Sequence, residues 1–405
     1  MFKPQKNTQV IAALGVNRAM EEGVRPMRKN KPKVHSLDSL SALLMTFIAL
    51  SGEFPTDQIR RLPSTNAYKE KIIKSLKSSN LIRTYYRDGL RGLRLTAKAK
   101  KLMADEQPDR FLSLFAGDTA TSTPKYTILH RLRLQRMAEV LVTMLNAGVS
   151  AFPWQKPAVF APSPLLDVPH IECPSYFSSR EVKNIGLMGN KIRNSRAVGV
   201  LLTDDCVFSV YNTGPSLMKW EYQAEMRFKA LLQIELCQNR LPGQFGRAEQ
   251  RAILFGADMG QVSALLDADS KCRDHFLQDG SYHHFYFLTN DHHGEVVLQL
   301  LCDPAEKAAL DAILSEGLDP ARPGWVVPND AMDGDDPVLF GYTCDMHRIK
   351  RFDNALHIHN KRGTLYCFDF QEDALRELCG PNISIRVIDF EAYEGSVFHS
   401  EEETD

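Results

Sequence analysis

Several features common in proteins of this length are missing from the 405 residues. No apolar run approaches the ~18 residues that a bilayer-spanning helix needs. The longest candidate, Ala42 to Leu50, is short and is broken by Thr46. The N-terminus carries no apolar core followed by small cleavage-site residues, so no secretory leader is expected. All eight cysteines lie beyond residue 170, at Cys173, Cys206, Cys237, Cys272, Cys302, Cys344, Cys367 and Cys379. None is within four residues of another, which excludes zinc-ribbon and CxxC spacings. Cys206 in LLTDDCVFSVY and Cys367 in TLYCFDF sit in apolar stretches, where a thiol acts as a small hydrophobe. GxSxG, HExxH and dinucleotide fingerprints are also missing. Gly186-Leu187-Met188-Gly189-Asn190-Lys191 lacks the GxxxxGK[ST] spacing of a phosphate-binding loop and reads as a turn. These absences predict a cytoplasmic protein with no membrane span, and they imply no cofactor.

Net charge is nearly absent too, at -1 with 49 Lys and Arg against 50 Asp and Glu. That balance is an average over two unlike parts. Residues 1–140 hold 26 basic and 12 acidic residues, a net of +14, while 141–405 hold 23 and 38, a net of −15. The densest stretch, 66–101, sets 11 basic residues against only Glu70 and Asp88. Such asymmetry suggests a basic nucleic-acid module joined to an acidic partner domain. At ~150 residues per domain, two or three domains are expected.

Residues 1–35 are polar and basic and read as a flexible arm. Ser36 or Asp38 then caps a helix bearing Leu40, Leu43, Leu44, Phe47, Ile48 and Leu50, and Pro55-Thr56-Asp57 starts a second that Pro63 stops. Ser64 or Thr65 caps a third over Asn66–Ser79, with Ile72, Ile73 and Leu76 as its buried stripe. The opposite face carries Ala67, Lys71, Lys74 and Ser78, with Lys77 on the flank, whereas Lys69 projects toward the buried side. Leu81–Arg87 alternates as a strand, Asp88-Gly89 is a hairpin signal, and Leu90–Thr96 returns as the second strand. Thr96 caps a helix over Ala97–Asp105. Three helices, a basic hairpin and a helix predict a winged helix-turn-helix over 36–106.

That architecture assigns the charges a task. The third helix enters a major groove with Ala67 and Ser78 beside base edges, and Lys71, Lys74 and Lys77 meet phosphates. Arg83, Arg87, Arg91 and Arg94 lie in or beside the wing, within reach of the backbone or an adjacent minor groove. Long cations suit double-stranded DNA because phosphate neutralisation releases counterions. The competing reading is a solvated basic surface that serves protein contacts.

Pro108, Gly117 and Pro124 and the run Thr119–Thr123 predict a linker over 107–126. A long helix over Thr127–Ala147 follows, whose His130, Arg131, Arg133 and Arg136 either extend the basic surface or solvate one face. The rest, 127–405 with a further division near 240, reads as a helix plus acidic α/β domains: strands at Ala197–Leu202, Cys206–Tyr211, His284–Leu288, Val296–Leu301, Gly363–Phe370 and Ile383–Phe390, and helices at Leu217–Gln238, Pro304–Glu316 and Glu372–Leu378. No internal repeat is evident. The acidic end, Glu401–Asp405, reads as a solvated tail able to compete with DNA for the basic module. The overall expectation is a multidomain α+β or α/β protein.

A restriction-enzyme type of nuclease would need a strand Asp followed by Glu-x-Lys on the next strand. Asp204 or Asp205 offers the first acid, but Cys206–Tyr211 holds neither Glu nor Lys, and Glu181-Val182-Lys183 precedes it. Glu221, Glu225 and Lys229 have i, i+4 spacing, which suggests surface ion pairing. Histidines cluster at His283-His284, His292-His293 and His357-Ile358-His359, but no recognised metal spacing is completed. Adjacent histidines on a strand point to opposite faces, so structural or surface roles are expected and no metal ligand is assigned.

The run IRNSRAVGVLLTDDCVFSVYNTGPSLMKWEYQAEMRFKALL (Ile192–Leu232) resembles uncharacterised proteins of conjugative and other mobile elements from Firmicutes. The winged-helix pattern, linker and TILHRLRLQRMAEVL helix are similar to the replication-relaxation proteins. The resemblance covers about 36–235. It implies DNA binding and a role in plasmid replication or relaxation, and it carries over no catalytic residue. The expected function is a DNA-binding accessory or regulatory protein of a mobile genetic element, acting in replication, transfer or transcription control. Its acidic part would bind a protein partner, a ligand or a second copy. The alternatives are a metal-dependent nicking nuclease and a protein-binding adaptor.

Overall fold

A computed structural model describes residues 40–116, 128–161, 170–182, 195–216, 220–266 and 281–399. The expected arm over 1–35, the caps Ser36 and Asp38, the turn at 186–191, Lys183 and the acidic tail lie outside these residues. The chain is mixed α and β and divides into two compact units, Met1–Pro157 and Ala158–Asp405.

The first unit is built around α1 (Leu40–Ser51), all twelve residues of which are buried. A helix apolar on every side has no solvent face to offer and becomes the centre of its core. After α1 come the short strand β1 (Phe54–Pro55), a 3-10 turn over Thr56–Arg61, and α2 (Asn66–Ser78). Thr65 caps α2 by accepting from the Tyr68 amide. Strands β2 (Ile82–Arg87) and β3 (Leu90–Leu95) form a hairpin, and β1 adds to β3 in an antiparallel sheet of order β1-β3-β2. At the hairpin turn Asp88 and Gly89 have φ of 52° and 77°. Two successive positive φ values match the right-handed twist of the strands, and Asp-Gly is the dipeptide that tolerates them. Thr96 caps α3 (Ala97–Glu106).

Two boundaries differ from those expected. Pro108–Phe115 is a helix, α4, within the stretch read as linker. Pro108 suits a first helical turn, and Phe111 is buried, its ring 5.9 Å from Phe115 and 5.6 Å from Trp154. Aromatic burial therefore overrides the punctuation. The remaining linker residues, 117–126, are outside the described set. The long helix, α5 (Ile128–Asn146), was grouped with the acidic part by its position after the linker. It belongs instead to the first unit, where it packs on α1 and β1 through buried residues including Met137, Val140, Leu141 and Met144.

The second unit holds two five-stranded sheets. The first runs β4 (Ser175–Ser178), β5 (Gly199–Leu202), β6 (Val207–Gly214), β7 (Gln250–Gly256) and β8 (Phe285–Thr289) in spatial order. The second runs β9 (Asp319–Pro320), β10 (Ala331–Asp333), β11 (Asp336–Phe340), β12 (Gly363–Phe368) and β13 (Ile383–Ile388). In each sheet the first three strands are antiparallel neighbours and the last three are parallel neighbours. The two sheets thus repeat one pattern of order and direction, although the amino-acid sequence shows no matching repeat. Parallel neighbours need crossovers. Between β6 and β7 these include α6 (Tyr222–Leu231) and a π-helical run over Leu232–Arg240. Between β11 and β12 lies α7 (Met346–Ile358), and between β12 and β13 lies α8 (Glu372–Leu378).

Val296–Leu301, expected as a strand, lies inside the helix His292–Cys302, which Asp291 caps. A six-residue apolar run has no decisive period, and the cap settles it. His357-Ile358-His359 ends α7 and so is not on a strand.

Candidate nucleic-acid interface

On α2 the residues Ala67, Lys71, Lys74, Lys77 and Ser78 are all exposed, while Ile72 and Leu76 face inward. Lys69 is buried with them and donates to the Arg60 carbonyl at 2.7 Å. Burial holds its ammonium below the ordinary lysine value. The inward projection expected of Lys69 therefore has a partner waiting for it. Across the hairpin, Arg83, Arg87 and Arg91 are exposed. Arg87 pairs with Asp88 at 3.3 Å in full view of solvent, an arrangement that contributes little to stability. Two exposed aromatics border these cations, Tyr68 at 40% and Tyr86 at 71% exposure, and Tyr86 lies opposite Arg91 in the ladder. Neither tyrosine was singled out from the sequence; Tyr68 lies four residues before the buried Ile72, so helical period alone would turn it inward.

Arg94 is different. It faces Arg83 in the register, but its guanidinium turns inward to Glu53, with Nε 2.8 Å from Oε2. Only 11% of its side chain is exposed, and its Cζ lies 4.1 Å from the Tyr85 ring centroid. The role expected for Arg94 in reaching DNA is thus displaced by a structural one, because Glu53 offers a desolvated anion closer than any phosphate.

Glu53 is the hub of a buried network that spacing did not reveal. Arg131 donates to it from Nη2 at 2.7 Å and from Nε at 3.1 Å, and Gln135 donates at 2.7 Å. Burial alone would push the Glu53 carboxyl up, but the hydrogen bonds from Arg131, Arg94 and Gln135 outweigh it and hold the group below its ordinary value. Arg131 also donates to the carbonyls of Tyr85, Arg87 and Leu90. One guanidinium therefore ties α5 to both strands of the hairpin beside its turn. Arg131 belongs neither to a basic surface nor to a solvated helix face, the two roles its sequence position suggested. The hairpin that displays Arg83, Arg87 and Arg91 is thus held from beneath.

In the second unit the acids considered for a nuclease do not converge. Asp204 and Asp205 are exposed in the turn before β6. Glu225 is buried and accepts from Ser195 Oγ at 2.9 Å, the Arg196 amide at 2.7 Å and Tyr211 OH at 3.1 Å. Tyr211 lies six residues along from Asp205, about 20 Å of extended strand. Glu225 is therefore not on the surface, and Lys229 donates to the Ser281 carbonyl at 2.6 Å. Glu181 is occupied by the Ser178 amide and hydroxyl. Cys206 is buried, which pushes its thiol up to about 12 and suits the small-hydrophobe reading. No helix among the described residues is long and apolar enough to cross a membrane.

Comparison with protein-family models, curated proteins and solved structures gave no match. The site therefore has to be read from its own chemistry.

Proposed function

We propose that the protein binds double-stranded DNA through its first unit, acting as a winged helix with α2 in the major groove and the β2–β3 hairpin on the flanking backbone or minor groove. The observation that carries this reading is the shared exposure of Lys71, Lys74 and Lys77 on α2 and Arg83, Arg87 and Arg91 on the hairpin. Desolvating six cations against a neutral protein partner would be costly, whereas a polyanion repays them by counterion release. A role as an accessory or regulatory factor of a mobile element rests on the sequence resemblance alone. The acidic second unit, with its two sheets, is the proposed seat of partner or self association.

An electrophoretic mobility assay on element-derived duplexes tests the DNA reading. Affinity should fall steeply between low and moderate salt. Binding that ignores salt, or no shift of any duplex at low salt, overturns it. Footprinting then separates replication or transfer from transcription: protection at an origin favours the former, at a promoter the latter.

A further inference from the structure

We propose that His283, His284 and Glu249 in the second unit form a binding site for a divalent transition metal of the zinc class, with Asp345 positioning His284. The strand pairing brings these residues together. Strands β7 and β8 are parallel neighbours, Ala252 stands opposite Phe285, and the Ala252 amide donates to the His284 carbonyl at 3.1 Å. Glu249 immediately precedes β7 and the two histidines immediately precede β8, so all three reach the same edge of the sheet. His283 and His284 do not diverge as they would within a strand. The chain bends at His283 before β8 begins, and the rings come to 4.9 Å between centroids at 88°.

One ligand atom from each residue lies within 4.8 Å of the other two, and His284 Nε2 is 3.6 Å from Glu249 Oε2. Bonds of ~2.0–2.2 Å in a tetrahedral set place ligand atoms about 3.5 Å apart. Closing the remaining gap takes rotation of His283 and Glu249, both of which are exposed and have room to turn. Asp345 supplies what a chance surface cluster lacks. Its Oδ2 is 2.5 Å from His284 Nδ1, while its Oδ1 accepts from the Phe285 and Arg348 amides. This buried carboxylate fixes the imidazole with Nε2 turned toward Glu249, the outer arrangement found behind metal-binding histidines. Arg351 donates to the His283 carbonyl at 3.1 Å and approaches Nδ1 at 3.4 Å. Binding through either ring nitrogen ends the longer contact and leaves the shorter one intact.

Two imidazoles and a carboxylate favour zinc-class ions over Mg²⁺ or Ca²⁺, which prefer all-oxygen shells. Three protein ligands leave a fourth position open. His284 also lines a cavity of about 210 Å³ with Arg251, Tyr286, Lys307 and Arg348. Arg251 Nε is buried there without a hydrogen-bond partner.

The test uses the untagged full-length protein, dialysed against Zn²⁺ and then analysed for bound metal. Wild type should retain one equivalent that His283→Ala and Glu249→Gln lose, and His357→Ala should keep it. Excess Mg²⁺ should leave the bound Zn²⁺ in place. Co²⁺ substitution should give the visible absorption of a four- or five-coordinate site in wild type and His357→Ala but not in His283→Ala or Glu249→Gln. Asp345→Asn should weaken Zn²⁺ affinity about 10–100-fold. Circular dichroism melts confirm that the two exposed-site variants are folded. Equal zinc in wild type and the folded variants, no retained zinc in wild type, loss on His357→Ala, or displacement by Mg²⁺ overturns the proposal.

Discussion

Arg131 and Glu53 stand 78 residues apart in the chain, yet Nη2 and Oε1 lie 2.7 Å apart with 1% and 0% of their side chains exposed. Each pays a desolvation penalty that neither could bear alone. The pair joins α5 to the loop after α1, and Arg131 carries the connection on to the hairpin carbonyls. The basic face that the hairpin displays is therefore supported by a cation that faces away from it.

Replacing Arg131 by Met should destabilise the first unit by ~3–5 kcal/mol, because Glu53 then loses its most buried partner. Urea denaturation followed by probes in each unit measures this; a change under about 0.5 kcal/mol, the range of an ordinary surface substitution, contradicts the buried network.

Gly92 provides an independent test of the same hub. A Cβ there would lie 2.3 Å from Glu53 Oε1, whose carboxylate is held by three donor residues, Arg94, Arg131 and Gln135, and has little freedom to yield. Gly92→Ala should cost about 1–3 kcal/mol as an overpacked core position. An unchanged melting temperature would mean that Glu53 moves more freely than its hydrogen bonds imply.

The Glu53 carboxyl is held below its ordinary value of 4.5, so its folded form binds protons less readily than its unfolded form. Its contribution is present above the unfolded value and is lost as pH falls through the depressed folded value. Stability of the first unit should drop on acidification below about pH 4.5. Glu53→Gln should be less stable at neutral pH and should show a flatter acid limb. Parallel acid limbs for the two proteins would exclude Glu53 as the source.

Lys71→Glu with Lys74→Glu should abolish the duplex shift without lowering the melting temperature. Arg83→Ala should reduce the slope of log affinity on log salt by about 1. Arg94→Gln should instead lower the melting temperature, because it removes a Glu53 partner. If DNA affinity survives the lysine changes, the proposed groove face is wrong. If Arg94→Gln weakens DNA binding at full stability, its inward assignment is wrong.

Local structure in the first unit was legible because local chemistry determines it. Thr65 and Thr96 cap the helices they precede, Asp88-Gly89 turns the hairpin, and the stripe of Ile72 and Leu76 points inward with Lys69. Longer-range assignments were less legible. Phe111 turned an expected linker into a helix, α5 joined the unit before it, and an apolar stretch at 296–301 became helical. The first two depended on neighbours far away in the chain, Trp154 for Phe111 and α1 for α5, whereas the third turned on the nearby Asp291 cap. The two similarly ordered sheets of the second unit left no trace in residue patterns, because order and direction constrain backbone hydrogen bonds and leave the side chains free to differ.

The amino-acid sequence by itself determined the division of charge between the two parts of the chain, the helix caps and the hairpin turn. These follow from composition and from the φ and ψ preferences of neighbouring residues. Only the tertiary structure decided which hairpin cations face water. Arg83 and Arg94 are the same residue type on paired strand positions, yet one is exposed and the other is held by Glu53. His283 and His284 likewise became neighbours of Glu249 only through the pairing of β7 with β8. The energy of a charged side chain is set by the charges and solvent around it, and folding is what assembles those surroundings.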